Sequence, residues 1–234
     1  MKRAFEEEEE KKEEVLKKIK KRGTVYVCGM RMRGIRAQTP EKCEKLNVTS
    51  AQAKKNEDRI CFSPMHLEED EKELVQFKGY PNMEAYWQKG KRFQGVDAAK
   101  IEDWWKKIKK AKRRYPGSKD KICTHSEFPD YTGEDKLAWV DSRKRVYVPM
   151  YKDKIQSQER FKARLQHWKE LVNNGVNVAV YDFDGPRDGE GNPIAREVSV
   201  EMLRSEINQT SYPFGHGFVV GAMLLNIDFE TFCK

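Results

Sequence analysis

The 234-residue chain is long enough for one well-buried domain or a domain with tails, and 38% hydrophobic residues suffice for a core. No apolar run approaches the roughly eighteen residues of a membrane span, and no secretory apolar region is present. Five scattered cysteines without a CxxC pair argue against a disulfide framework or structural zinc, so an intracellular protein, cytoplasmic or nuclear, is expected, and its net charge of +8 favours anionic partners.

Residues 1–22 alternate blocks of Glu and Lys with few apolar positions. They read as a charged N-terminal helix or a disordered arm, leaving 23–234 as the domain. Residues 24–33, with Thr24, Tyr26 and Val27, read as a strand ending in a turn at Gly34. Residues 36–60 are polar, with a possible helix entry at Thr49–Gln52. Residues 60–65 form a short apolar segment broken by Pro64.

The stretch 81–93, PNMEAYWQKGKRF, carries the first candidate chemistry. As one helix, with Pro81 in its first turn, Asn82 as cap and Gly95 past its end, it puts Glu84, Gln88 and Lys91 on one face. An acid, an amide and an amine then line up beside Trp87. A solvated polar face is the other reading of the same pattern.

Residues 97–115 repeat Ile101, Trp104, Trp105 and Ile108 at helical spacing, as core residues do. Residues 106–121, dense in Lys and Arg against a single Asp, favour phosphates, nucleic acid among them, or form a solvated basic face. Residues 116–135 read as loop. Two helical patterns follow, around Trp139–Ile155 and over 160–174, the second stopped by Gly175. Val176–Phe183 alternates as a strand, Asp184-Gly185-Pro186 turns, and Ala195–Val200 can pair back. Asp182 and Asp184 at that strand end suit an Asx turn or a general base. Gly215 and Gly217, flanking His216 before an apolar run, suit a turn into a buried helix or an anion site at its N-terminus. The four histidines show no metal-ligand spacing, and neither a Walker A loop nor a GxSxG elbow occurs, so no metal or cofactor is expected.

The order Phe62-Ser63, Glu84-x-Tyr86-x-Gln88-x-x-Lys91, Trp139, Asp184-Gly185, Gly215-x-Gly217 resembles the NADAR family of NAD- and ADP-ribose-associated domains. The likeness spans about residues 24–228. Gly185-Pro186 stands where that family has Trp-Gly, and Phe218 stands near its usual Asn, so the chain resembles a divergent branch. The resemblance implies an α+β fold, a mostly helical single domain with a small antiparallel sheet from 24–33 and 176–200. It implies an N-glycosidase that removes ADP-ribose from guanine bases of nucleic acid. Lys91 would form a Schiff base, Glu84 would shuttle protons, and Asp184 would be a further catalytic acid. Phe62, Ser63, Trp87, Gln88, Trp139 and Asp182 would bind substrate. Gly215, His216 and Gly217 would hold the pyrophosphate, while Arg113 and Arg114 meet strand phosphates. The expected partner is ADP-ribosylated nucleic acid or another ADP-ribose-containing ligand, bound by a monomer. Two alternatives remain at this point: the same chemistry on a free ribosylamine phosphate, and a non-catalytic ADP-ribose or nucleic-acid reader.

Overall fold

The computed structural model describes residues 22–31, 34, 36–50, 56–66, 77–110, 112–133 and 136–234. The expected N-terminal arm therefore lies outside the described residues except for Arg22, which donates to the carbonyls of Leu224 (2.6 Å) and Leu225 (2.8 Å). Positions 51 and 52 of the possible helix entry lie outside them too.

In chain order, β1 (Val25–Gly29) and β2 (Cys43–Asn47) precede α1 (Glu57–Phe62), α2 (Met83–Lys89), β3 (Lys91–Phe93) and α3 (Ala98–Lys106). Then come β4 (Cys123–Ser126), α4 (Pro129–Thr132) and α5 (Trp139–Ser142), which runs through a π-helical turn, Arg143–Tyr147, into α6 (Val148–Gln156). The chain closes with α7 (Glu159–Asn173), β5 (Asn177–Asp182), β6 (Ala195–Glu197), α8 (Val200–Asn208), α9 (His216–Leu224) and α10 (Glu230–Cys233). The class is α+β. Among the described residues no helix is long and apolar enough to cross a membrane.

The sheet departs from the antiparallel expectation. Its order is β2-β5-β1-β6, with β1 and β2 both parallel to the central β5 and only β6 antiparallel, paired to β1. The reason is legible in β5. Val178, Ala179, Val180 and Tyr181 are all buried, the pattern of a strand covered on both faces, as parallel strands are. After Asp184 the chain does not fold back as a hairpin on β5. Gly29 N–H instead donates to Ile194 (2.9 Å), which carries β6 to the far edge of β1.

Side-chain alternation sorts the two faces. Val25, Val27, Val178 and Val180 join the main core, while Cys28, Ala179 and Tyr181 pack with Ala37 on the other side. All nine residues of α9 are buried. This helix contacts β1 and β5 on one side and α6 and α7 on the other. It is the hydrophobic axle of the molecule. Asp58 ties α1 to α7, accepting from Trp168 Nε1 at 2.7 Å and pairing with Arg164.

Candidate active site

The helix carrying Glu84 is short, and its start is built from two segments. Asn82 caps it, its side chain accepting from Ala85 N–H at 2.8 Å, with Pro81 outside the helix before that cap rather than in the first turn. The Glu84 N–H, one of the donors a helix start leaves unpaired, is taken by the Pro64 carbonyl at 2.9 Å. Asn82 Nδ2 also donates to Met65 (3.1 Å), Ser63 Oγ accepts from Met65 N–H (3.0 Å), and the Phe62 carbonyl accepts from the Tyr151 hydroxyl (2.5 Å). Phe62 and Ser63 are buried and lie outside the cavity lining, so their structural part is to brace the helix under Glu84.

The expected single helical face does not extend to Lys91. Helix α2 ends at Lys89, capped by Gly90, and position 90 is held to glycine by the Phe128 ring: a Cβ there would lie 2.2 Å from Phe128 Cζ. The chain then turns into β3, which pairs with β4 through Lys91 and Ser126. Gly95, the expected stop, belongs instead to the turn after β3. Glu84 and Gln88 point from the helix and Lys91 from the strand, and all three line one cavity of about 250 Å³.

Trp87, Arg113, Trp139 and Asp184 line the same cavity, as do Arg143, Tyr147, Pro213 and Phe214. The Lys91 amine sits 5.4 Å from the Trp87 ring centre and 5.0 Å from that of Trp139. Among the described residues it has neither a hydrogen-bond nor an ion-pair partner. Glu84 Oε1 accepts from Gln88 Nε2 at 2.6 Å.

Burial sets the electrostatics. Desolvation pushes the Lys91 ammonium down from its ordinary value, and the Arg143 cation pushes the same way, against Glu84, Cys123 and Asp184. Desolvation also raises the Glu84 carboxyl, with Asp184 adding to it and Lys91 and the Gln88 hydrogen bond opposing. Asp184 is raised by burial and by Asp182, with Arg113 opposing from 3.8 Å. Both directions favour the uncharged forms, a free amine beside protonated acids.

The two aspartates at the end of β5 part company. Asp184 turns into the cavity; Asp182 turns inward and fills the N-terminus of α9, accepting from Gly217 N–H at 2.9 Å. The expected anion site at Gly215–Gly217 is thus occupied by a side chain of the protein itself. The glycines permit that contact, since a Cβ at Gly217 would meet Asp182 Cβ at 2.7 Å and one at Gly215 its Oδ2 at 2.3 Å. His216 is buried beside them. Its Nε2 lies 2.7 Å from the Val48 carbonyl and its Nδ1 3.3 Å from Asp182 Oδ2. A carbonyl only accepts, so Nε2 donates, and the other contact is attractive when a proton lies between Nδ1 and Oδ2.

Arg143 and Tyr147 are functional candidates that sequence reasoning missed. Trp139, Arg143 and Tyr147 recur every four residues, a spacing that drifts around an α-helix. Here the π turn, with Val148 N–H donating to Arg143, keeps all three on the cavity side. Pro149 has no N–H to continue the α ladder and favours the break. Arg143 is only 2% exposed. It donates to the carbonyls of Ile207 (3.3 Å), Gln209 (2.5 Å) and Tyr212 (2.9 Å), lies 5.0 Å from the Trp139 ring centre, and keeps a buried Nε with no partner among the described residues. Burial pushes its guanidinium down to about 10, which leaves it charged at neutral pH. Arg114 lies elsewhere: it closes the turn at Ser118 with bonds to that residue's Oγ (3.1 Å) and carbonyl.

The described residues contain no group of three metal-ligating side chains. Compared with known proteins, the chain matches no protein-family model, no curated protein and no solved structure.

Proposed function

We propose that the protein is an N-glycosidase that cleaves a ribosyl C1′–N bond by imine chemistry at Lys91, with ADP-ribose on a guanine base of nucleic acid as the substrate. The observation that carries this reading is the convergence, on one aromatic-walled cavity, of an unpartnered lysine amine with two carboxyls raised by burial. The motif order that resembles the NADAR family points the same way through Glu84, Gln88, Lys91, Trp139 and Asp184, while its Phe62-Ser63 and Gly215-x-Gly217 parts lie outside the cavity lining.

The chemistry balances on these residues. The exocyclic nitrogen's lone pair forms C1′=N as the C1′–O4′ bond breaks, and Glu84, protonated at the start, donates its proton to O4′. The neutral Lys91 amine adds to C1′. A proton moves from Lys91 to the base nitrogen by way of Glu84, the base amine leaves, and an imine joins C1′ to Lys91. Water adds to that imine and expels the lysine. The free aldehyde recloses to the ribose ring. Asp184, held near Arg113, is placed to help with the later proton transfers, and the Tyr147 phenol, kept protonated by burial, to donate to a sugar oxygen. Since Asp182 occupies the α9 N-terminus, the phosphates fall to Arg113 rather than to Gly215–Gly217.

The cavity volume of about 250 Å³ also favours a second reading, a free ribosylamine phosphate, because it lies below the usual size of sites that enclose larger ligands. The basic 106–121 segment favours the polymer. Incubation with guanosine-ADP-ribosylated oligonucleotide, free ribosylamine phosphate and ADP-ribosylated protein side by side separates the readings. Release of ADP-ribose from the oligonucleotide is expected. Turnover of the ribosylamine phosphate alone would select the metabolite reading, and binding without release from any of the three would select a reader.

A further inference from the structure

Helix α3 buries Ile101 and Trp105 and turns Trp104 to a half-exposed position, edge-on to Trp105 (4.7 Å) and to Tyr115 (5.5 Å). Trp104 and Ile108 floor a shallow hollow of about 290 Å³ whose other walls are Lys107, Lys109, Lys110 and Lys112. The lysines differ in how their charge is spent. Lys106 and Lys107 are paired within the helix to Glu102 (2.8 Å) and Asp103 (2.6 Å). Lys109, Lys110 and Lys112 have no ion-pair partner among the described residues and are exposed. An aromatic floor under unpaired cations is suited to stacking a base while neutralising the phosphates beside it.

The hollow and the cavity are linked by consecutive residues of the chain. Lys112 lines the one and Arg113 the other, and successive Cα atoms are about 3.8 Å apart. Arg113 reaches inward, 5.2 Å over the Phe183 ring and 3.8 Å from Asp184, while the lysines before it stay outside. A strand that delivers one nucleotide to Lys91 would therefore run its neighbours over Trp104. Stacking on Trp104 needs a base with a free face, which a single strand offers and a paired duplex does not.

We propose that the lysine-ringed hollow over Trp104 and Ile108 is a second subsite, which binds single-stranded nucleic acid next to the nucleotide held in the cavity. It deepens the nucleic-acid form of the glycosidase reading and rests on that reading only for what enters the cavity.

Binding without turnover tests it, so the two can fail separately. Fluorescence anisotropy would follow labelled, unmodified dT12, rU12 and a 12-base-pair duplex across a salt series, with the full chain and with Lys109→Gln/Lys110→Gln/Lys112→Gln. These side chains are exposed, and a thermal melt of the variant checks that its fold is intact. The wild type should bind single strands more tightly than the duplex. The triple variant should lose about tenfold in affinity at low salt, and its log–log salt slope should flatten by about two, since each single-strand phosphate contact contributes roughly 0.7. Binding of dT12, rU12 or both supports the subsite and says which backbone it takes. No wild-type binding, equal binding by the variant, or tighter binding of the duplex would overturn it. So would retention of the wild type, through the same lysines, on anionic phospholipid vesicles but not on single strands.

Discussion

A lysine attacks carbon only as the free amine, so the state of one proton decides whether Lys91 is a nucleophile or a spectator. Desolvation and the Arg143 cation both lower it from its ordinary 10.5, while desolvation raises Glu84 from its ordinary 4.5. Cleavage should rise with pH as Lys91 deprotonates, at a pH below 10.5, and fall as Glu84 deprotonates, above 4.5. Removing the Arg143 charge takes away one of the downward pushes on Lys91. Arg143→Met should move the ascending limb of the kcat/KM profile to higher pH, and Arg143→Lys should partly restore it. Arg143→Met also leaves one buried and two partly buried carbonyls without their donor, so a stability loss of about 1–3 kcal/mol is expected as well. Only the pH shift separates an electrostatic role from a structural one. The lowered lysine also makes a stability prediction. Between its folded-state value and 10.5 the unfolded chain binds more protons at this position, so the wild type gains stability as pH rises through that window. Lys91→Met lacks that term, and its melting temperature relative to wild type should be highest at low pH and decline toward pH 10.

The elements explain why those residues meet. Helix α2 was legible from its cap and its aromatic run, and α7 from the helical pattern over 160–174 that Gly175 stops. Lys91 was placed on the wrong element because it pairs as a strand residue with Ser126, 35 positions further along the chain, while the Phe128 ring packs against Gly90. Periodicity sees neighbours in sequence and not such a contact. Strand β2 was missed for a similar reason: CEKLN exposes Glu44 and Lys45 at a sheet edge and carries only Leu46 into the core. The glycines at the start of α9 suited a turn into a buried helix or an anion site, and the resemblance favoured the second. They are tight because Asp182 is there, and that contact makes Gly217→Val a test of packing. A branched side chain 2.7 Å from Asp182 Cβ should cost about 1–3 kcal/mol or more, a fall of several degrees in the thermal melt. A variant that melts like wild type would show that the α9 N-terminus is looser than the structure has it.

At the scale of the whole molecule, three parallel strands end together, and the cavity residue Asp184 follows directly from the end of the central one. Crevices beyond the carboxyl ends of parallel strands are where such sheets hold ligands. This placement was hidden in the sequence, since nothing local in 24–33 or 176–183 states that the two run parallel with most of the chain between them. The residue types of the site were more legible than its geometry. Glu84, Trp87, Gln88, Lys91, Arg113, Trp139 and Asp184 do share a cavity, whereas Phe62, Ser63, Arg114, Asp182, Gly215, His216 and Gly217 lie outside its lining. Arg143 escaped notice because a π turn, not α periodicity, aims it. That Lys91 bonds to the sugar is tested by arginine, which keeps a long basic side chain but lacks a nucleophilic amine at neutral pH. Glu84→Gln should slow cleavage about 10²–10⁴-fold while binding persists. The direct measurement is intact-protein mass spectrometry after borohydride is added during turnover of guanosine-ADP-ribosylated oligonucleotide. A reduced ADP-ribosyl adduct on Lys91 is expected in the wild type, and neither adduct nor turnover in Lys91→Arg; full turnover by Lys91→Arg would rule out a bond between Lys91 and the sugar.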